Sequence, residues 1–333
     1  MSMKRNTLIF VASVFCLLTL AACTREITTV QEVNPGASNC FECHSDQDGM
    51  LASKQIEWSY SNHGIGAYVG YAGNRSGCSE CHSGSGFVAD LNGEEDVPYG
   101  TSIGCWACHE PHTTGDFGLR VTEAQTLLNG VSMDIGSANL CVNCHHARRS
   151  VYEYVVADAA DSTTIGSSHW GPHHGPQGDM FFGSNGFEFD GVTYDTAAPT
   201  MHVTNDFGGA CLSCHFNANS AADLGGHSFN MTNADDDMNV DGCNNCHTDV
   251  EDFNVYGIPA AIDVLAEELH VLLEAEGLVD ADGHPINGSR SSYVKVGALW
   301  NFMMWEEDRS HGVHNPDYIH DLLESSIAVM EAK

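Results

Sequence analysis

Twelve of the fourteen cysteines in this 333-residue chain form six pairs with two residues between the members, and a histidine follows each pair at once. They read CFECH at 40–44, CSECH at 78–82, CWACH at 105–109, CVNCH at 141–145, CLSCH at 211–215 and CNNCH at 243–247. Cys-x-x-Cys-His is the attachment pattern of c-type haem. Two thiols add across the two vinyl groups of one haem, and the next residue is brought beneath the iron, where a neutral imidazole nitrogen binds. A zinc ribbon needs two Cys-x-x-Cys knuckles on one ion and has no use for a histidine after each. A thioredoxin-like site needs one pair, not six. With 19 histidines in the chain, six coincidences would arise roughly once in ten million trials or fewer. The expected cofactors are six covalent haems. Their thioether residues would be Cys40, Cys43, Cys78, Cys81, Cys105, Cys108, Cys141, Cys144, Cys211, Cys214, Cys243 and Cys246, and their proximal ligands His44, His82, His109, His145, His215 and His247.

A low-spin iron needs a second axial ligand. Methionine would raise the potential, but thirteen histidines lie outside the motifs, so imidazole on both sides is the expected ligation. At this point the chain resembles the bacterial multihaem c-type cytochromes, and in particular the nitrite-reductase-like superfamily, over nearly all of its length after residue 22. The resemblance implies distal ligands at His63 in WSYSNHG, His112 in CHEPH, His173 in HWGPHHGPQGDM, His202 in PTMHVTNDFGGACLSCH, His227 in GGHSFNM and His314 in HGVHNPDY. Pro172 would fix the backbone just before His173 and limit the entropy lost in presenting its ring. His169 and His174 would meet haem propionates or solvent. His146 sits beside Arg148 and Arg149 and points to a propionate or to a surface cation cluster. His270 is expected at the edge of a core, and His284 and His320 in solvent.

These side chains need elements to carry them. Leu, Ile, Val and Phe are sparse and glycine plentiful, with 34 glycines, so porphyrin faces are expected to supply much of the interior. The expected fold is mainly α with extensive irregular loops, a multihaem cytochrome c fold organised around six covalent haems with a C-terminal helical tail. Residues 39–251 would form the hexahaem body, with a short helix at each motif, and residues 252–333 a helical region packing on the haems. Ile262, Leu265, Leu269, Leu272 and Leu273 follow helical spacing up to Gly277. Residues 293–305 are apolar nearly all round and should be buried. Asn315, Pro316 and Asp317 spell a helix start, with Leu322, Leu323, Ile327 and Met330 on the inner face.

The N-terminus reads as a targeting segment. Lys4 and Arg5 precede an apolar run at 8–20, and LTLAAC closes it at Cys23. Residues 1–22 are expected to be a signal peptide. The closing box resembles a bacterial lipobox, which implies acylation of Cys23, a tether at 23–38, and sorting to the outer membrane in a periplasmic or cell-surface setting. No later stretch is long and apolar enough to cross a bilayer. Loss of Lys4 and Arg5 lowers the 12 basic side chains to 10 against 45 acidic ones, moving the formal charge from −33 to −35. That charge excludes nucleic acid as a partner. The expected partners are other redox proteins, donor and acceptor cytochromes, together with the membrane through the lipid anchor. DMNVDG at 237–242 matches the opening of a calcium loop, but Thr248 stands where a bidentate Glu is required, so calcium is not expected. Two functions remain. One is an electron carrier with closely packed bis-histidine haems and no catalytic residue. The other is a multihaem reductase of nitrogen or sulfur oxyanions with one open iron. The catalytic Cys-x-x-Cys-Lys motif of the nitrite reductases is absent, which favours the carrier.

Overall fold

The computed structural model describes residues 49–94, 97–110, 117–194, 202 and 209–332, and the side chains from Leu51 onward. The expectations for the leader, Cys23, Cys40, Cys43, His44 and His112 lie outside the described residues. All described residues belong to one unit, which spans Pro35–Lys333.

The chain is mainly helical with long loops, and strands are few. In the motif-bearing part, helices run for one turn around each described attachment motif: Ser79–His82, Cys105–Cys108, Asn139–Val142, Cys211–His215 and the 3-10 turn Cys243–Asn245. Two somewhat longer helices accompany them, α1 (Gly49–Ser59) and α2 (Gly84–Leu91). Ser83 caps α2 by accepting from Gly86 N–H, which satisfies one of the donors a helix start leaves free. Two antiparallel ribbons complete this part. β1 (Gln125–Thr126) pairs with β2 (Ser132–Met133), and β3 (Ser162–Thr164) pairs with β4 (Arg290–Ser292). The second ribbon ties the middle of the chain to the C-terminal region in the register Thr163 to Ser291.

Three long helices fill most of the region after residue 257: α3 (Ile258–Glu276), α4 (Tyr293–Asp308) and α5 (Pro316–Glu331). In α3 the residues turned inward are Ile262, Ala266, Leu269 and Leu273, spaced by three or four as one helical face requires. The helix stops at Gly277, whose φ of +77° suits the left-handed position that closes a helix. Helix α4 is buried on all sides from Val296 to Met304, between α3, α5 and the loop 185–189. That loop approaches so closely that a Cβ at Gly297 would lie 2.3 Å from the Phe187 ring. Asn301 is fully buried yet satisfied: its Oδ1 accepts from Phe187 N–H at 2.7 Å, and its Nδ2 donates to Phe187 O and Ser326 Oγ. Asn315 caps α5 by accepting from Tyr318 N–H at 3.2 Å, and Leu322, Leu323, Ile327 and Met330 are buried.

This region differs from the composition-based expectation. It has an ordinary side-chain core, with Trp300, Leu299, Met304, Leu269, Leu273 and Tyr318 at the centre. Each such side chain contributes about 1.5–3 kcal/mol by leaving water. The apolar side chains gather here, and Val151, Ile165, Trp170 and Met180 of the motif-bearing part join the same core. Among the described residues that part adds two smaller clusters, around Met133 and Ile135 and around Phe87 and Ala107. Its interior is a continuous cavity of about 3590 Å³, several times the roughly 300–1,000 Å³ that holds a drug-sized ligand.

Candidate metal centres

The cavity is lined by residues of all five described attachment motifs. No disulfide closes any of them. The motifs lie close to one another: Cys144 Sγ is 3.7 Å from Glu80 O, between the second and fourth motifs. Burial pushes the Cys108 thiol up to about 11, the opposite of the lowered value that makes a cysteine a redox nucleophile.

Each described motif histidine faces a second imidazole supplied from a distant part of the chain. Ring centroids are 6.4 Å apart for His82 and His173, 6.3 Å for His109 and His227, and 6.1 Å for His63 and His145. They are 6.3 Å apart for His215 and His314, and 6.4 Å for His202 and His247. The five partners are His63, His173, His202, His227 and His314. The sixth motif histidine, His44, and the remaining distal candidate, His112, lie outside the described residues.

The spacing bears on what the pairs can hold. An imidazole nitrogen sits about 2 Å from a first-row metal ion, and the ring centroid lies roughly 1 Å behind that nitrogen. Two rings facing each other across one ion therefore have centroids about 6 Å apart, the separation these five pairs show.

The second ring nitrogen is engaged in six of the ten rings. His109 Nδ1 meets Phe117 O at 2.8 Å, His215 Nδ1 meets Phe229 O at 3.0 Å, and His202 Nδ1 meets Val313 O at 3.1 Å. His145 Nδ1 meets Gln177 Oε1 at 3.2 Å, His247 Nδ1 meets the Tyr256 hydroxyl at 3.3 Å, and His314 Nδ1 meets Asp308 Oδ1 at 2.7 Å. A nitrogen facing a carbonyl or carboxylate carries the proton, so Nε2 is left with a free lone pair, the arrangement of metal-binding histidines. His227 Nδ1 is buried without a hydrogen-bond partner, 3.5 Å from Glu57 Oε2.

Protonation state points the same way, because only a neutral imidazole binds a metal. Burial, and then His145 beside it, lowers His63 to about 4. Burial, followed by His174 and Arg148, lowers His173 to about 4. Burial also lowers His82, His145, His202, His215 and His227. His314 moves up instead: burial lowers it, but the charge and hydrogen bond of Asp308 outweigh that. His173 also takes a φ of +77°, a left-handed conformation uncommon for a residue with a Cβ. Such a conformation is kept where surroundings hold a ring in place for a purpose.

These residues fit covalent haem. The donor set is two thiols and one imidazole per motif with a second imidazole opposite, and the void between is large and apolar-walled. Lys54, Arg75, Arg148, Arg149 and Arg309 line it, five of the eight lysines and arginines among the described residues. In so acidic a chain this concentration suits groups that carry carboxylates, as haem propionates do.

The other histidines have local partners. His174 Nδ1 pairs with Glu307, and His146 Nδ1 faces Ala147 O. His270 stacks on Phe302 with Nε2 3.3 Å from Asp280 O, at the edge of the helical core. His169, His284 and His320 are exposed. Sequence reading missed the residues that hold the ligand rings, Asp308, Gln177 and Tyr256. It also missed which distal ring goes with which motif, since the partners lie between 45 and 118 positions apart and no local pattern encodes that.

Fold and donor set together define the class: the chain has a multihaem cytochrome fold. The outer cell wall cytochrome OcwA, known from a crystal structure, superposes on it with a TM-score of 0.53 at 19% identity, covering 84% of this chain and 50% of that one. The undecahaem cytochrome from the S-layer of Carboxydothermus ferrireducens matches with a TM-score of 0.48 at 18% identity, covering 82% of this chain and 40% of that one. The chain thus spans about half the length of OcwA. No family model matches the sequence, and no curated protein matches it. Among the described residues no helix is long and apolar enough to cross a membrane.

Proposed function

We propose that this is an exported, lipid-anchored hexahaem c-type cytochrome that carries electrons between redox partners. The observation that carries the reading is the set of five imidazole pairs, each joining one motif histidine to one distant histidine at 6.1–6.4 Å. For the sixth haem the ligands proposed from the sequence motifs are His44 and His112. Bound haem iron supplies one-electron chemistry. The residues of the chain do the rest. The twelve motif cysteines would tether the macrocycles, and a motif histidine with a distal histidine would leave no iron open to outside ligands, which suits a carrier rather than an oxyanion reductase. Arg75, Arg148 and Arg149 offset propionate charge. The approach of the second and fourth motifs, with Cys144 Sγ 3.7 Å from Glu80 O, supports electron transfer between the groups they would hold.

The finer assignments rest on sequence motifs: acylation at Cys23, outer-membrane sorting, and membership of the nitrite-reductase-like superfamily without its catalytic lysine motif. The strongly acidic chain favours partners with basic faces. The test is the mass and spectrum of purified protein. Six haem additions, an all-low-spin ferric resonance spectrum and no carbon monoxide binding are expected. A stoichiometric high-spin signal with carbon monoxide uptake overturns the carrier reading, and a mass without haem overturns the whole.

A further inference from the structure

The end of α4 and the turn that follows it, residues 307–314, make contacts at four of the five pairs. Glu307 binds His174, next to His173, and Val313 O accepts from His202. Gln177, whose Oε1 faces His145, donates to the carbonyls of Glu307 and Asp308 at 3.3 and 3.2 Å. The fourth contact differs in kind. Asp308 is buried, with its side chain 2% exposed, and its Oδ1 lies 2.7 Å from His314 Nδ1. Its Oδ2 accepts from Ser310 Oγ, which in turn accepts from His314 N–H at 3.2 Å. Among the described residues this is the closest approach of a carboxylate to any of the ten paired rings; the next, Glu57 Oε2 to His227 Nδ1, is 3.5 Å. The other five engaged rings meet carbonyl, amide or hydroxyl oxygens.

A carboxylate pulls on the Nδ1 proton harder than a carbonyl does, and burial strengthens the pull. The opposite nitrogen becomes a stronger donor, which favours the ferric state of a bound iron. We infer that Asp308 is a positioning residue that fixes the His314 tautomer and makes the His215–His314 centre the lowest in reduction potential of the five described centres. This rests on the proposed haem ligation and adds an order among the centres.

The test is a spectroelectrochemical titration of the full holoprotein. Mass must first show the same haem additions in wild type and Asp308→Asn; their absence from wild type defeats the haem reading itself and not merely the role of Asp308. With haem present, Asp308→Asn is expected to shift one of the two lowest-potential steps of the six upward by about tenfold in its equilibrium, which is 59 mV for one electron, and to leave the other steps in place. Ser310→Ala removes a donor from Oδ2, leaves the carboxylate a stronger acceptor, and is expected to shift the same step downward. A titration of Asp308→Asn that superimposes on wild type, or a shift confined to steps above the two lowest of the six, overturns the inference. Should Asp308→Asn fail to take up haem, Ser310→Ala decides alone: a downward shift supports it and no shift overturns it.

Discussion

Replacing His63 by alanine separates the ligand reading from a merely structural one. His63 is the partner of His145 at 6.1 Å, and its other ring contact is Phe229 at 5.4 Å. Of the imidazoles electrostatically near His145, His146 is turned onto the Ala147 carbonyl, His314 belongs to His215 and His82 to His173. Among the described residues no other ring stands ready to replace His63. One haem in six should therefore become high-spin, and the protein should take up one carbon monoxide per chain instead of none. The variant should also change the response to acid. In the fold His63 is held at about 4, against an ordinary 6.5. The unfolded chain therefore binds a proton between those values that the folded chain does not. The sign is such that full stability is present above pH 6.5 and is lost as pH falls toward 4. His63→Ala removes that dependence, so the wild type should lose more stability than the variant as pH falls from neutral toward 4, read from denaturant midpoints at each pH. An unchanged spin state together with an unchanged acid profile refutes the reasoning.

His173→Ala should likewise turn one haem high-spin, and an unaltered electron paramagnetic resonance spectrum would reassign that ligand to His174 or His169. In wild type the rings held at about 4, His63 and His173, should keep the low-spin absorbance intact down to near pH 4; a low-spin to high-spin transition centred at pH 6 or above contradicts the neutral-ligand argument. Trp300→Ala removes a fully buried ring and the bond from its Nε1 to Asn185 O at 2.6 Å. It should cost about 3–5 kcal/mol, seen as a lower guanidinium midpoint with the haem spectrum retained. Cys23→Ala should move the mature protein from the membrane fraction to the soluble fraction, and retention in the membrane would remove the anchor from the proposal.

What could be read from the sequence was whatever is written locally. The Cys-x-x-Cys-His repeats mark each turn of helix that holds a motif. The Asn315–Pro316–Asp317 start is visible because capping and a fixed φ act within one turn. The glycine stop at Gly277 is local in the same way. The distal rings could be nominated from short motifs, but their pairing could not, because it depends on how loops 45 or more residues apart in sequence cross one another. Asp308 was invisible for a different reason. In the string WEEDRS nothing separates a buried carboxylate from its exposed neighbour Glu306, and only the end of α4 and the turn at Arg309, with φ of +60°, aim it at His314. The side-chain core around Trp300 was missed because an average over the chain hides where its apolar residues gather.

That core lies at the far end of the polypeptide, and His314 sits between its last two helices. On the proposed export, the amino end would leave the translocation machinery first, so the six thiol pairs would reach the enzymes of cofactor attachment before α5 exists outside the membrane. On the proposed ligation, the macrocycle at Cys211 and Cys214 waits with one face open until the terminal helices fold and deliver His314. The closing of the C-terminal bundle then serves as a completion step in maturation: a protein truncated before residue 314 would carry its full complement of pigment and still lack one finished centre.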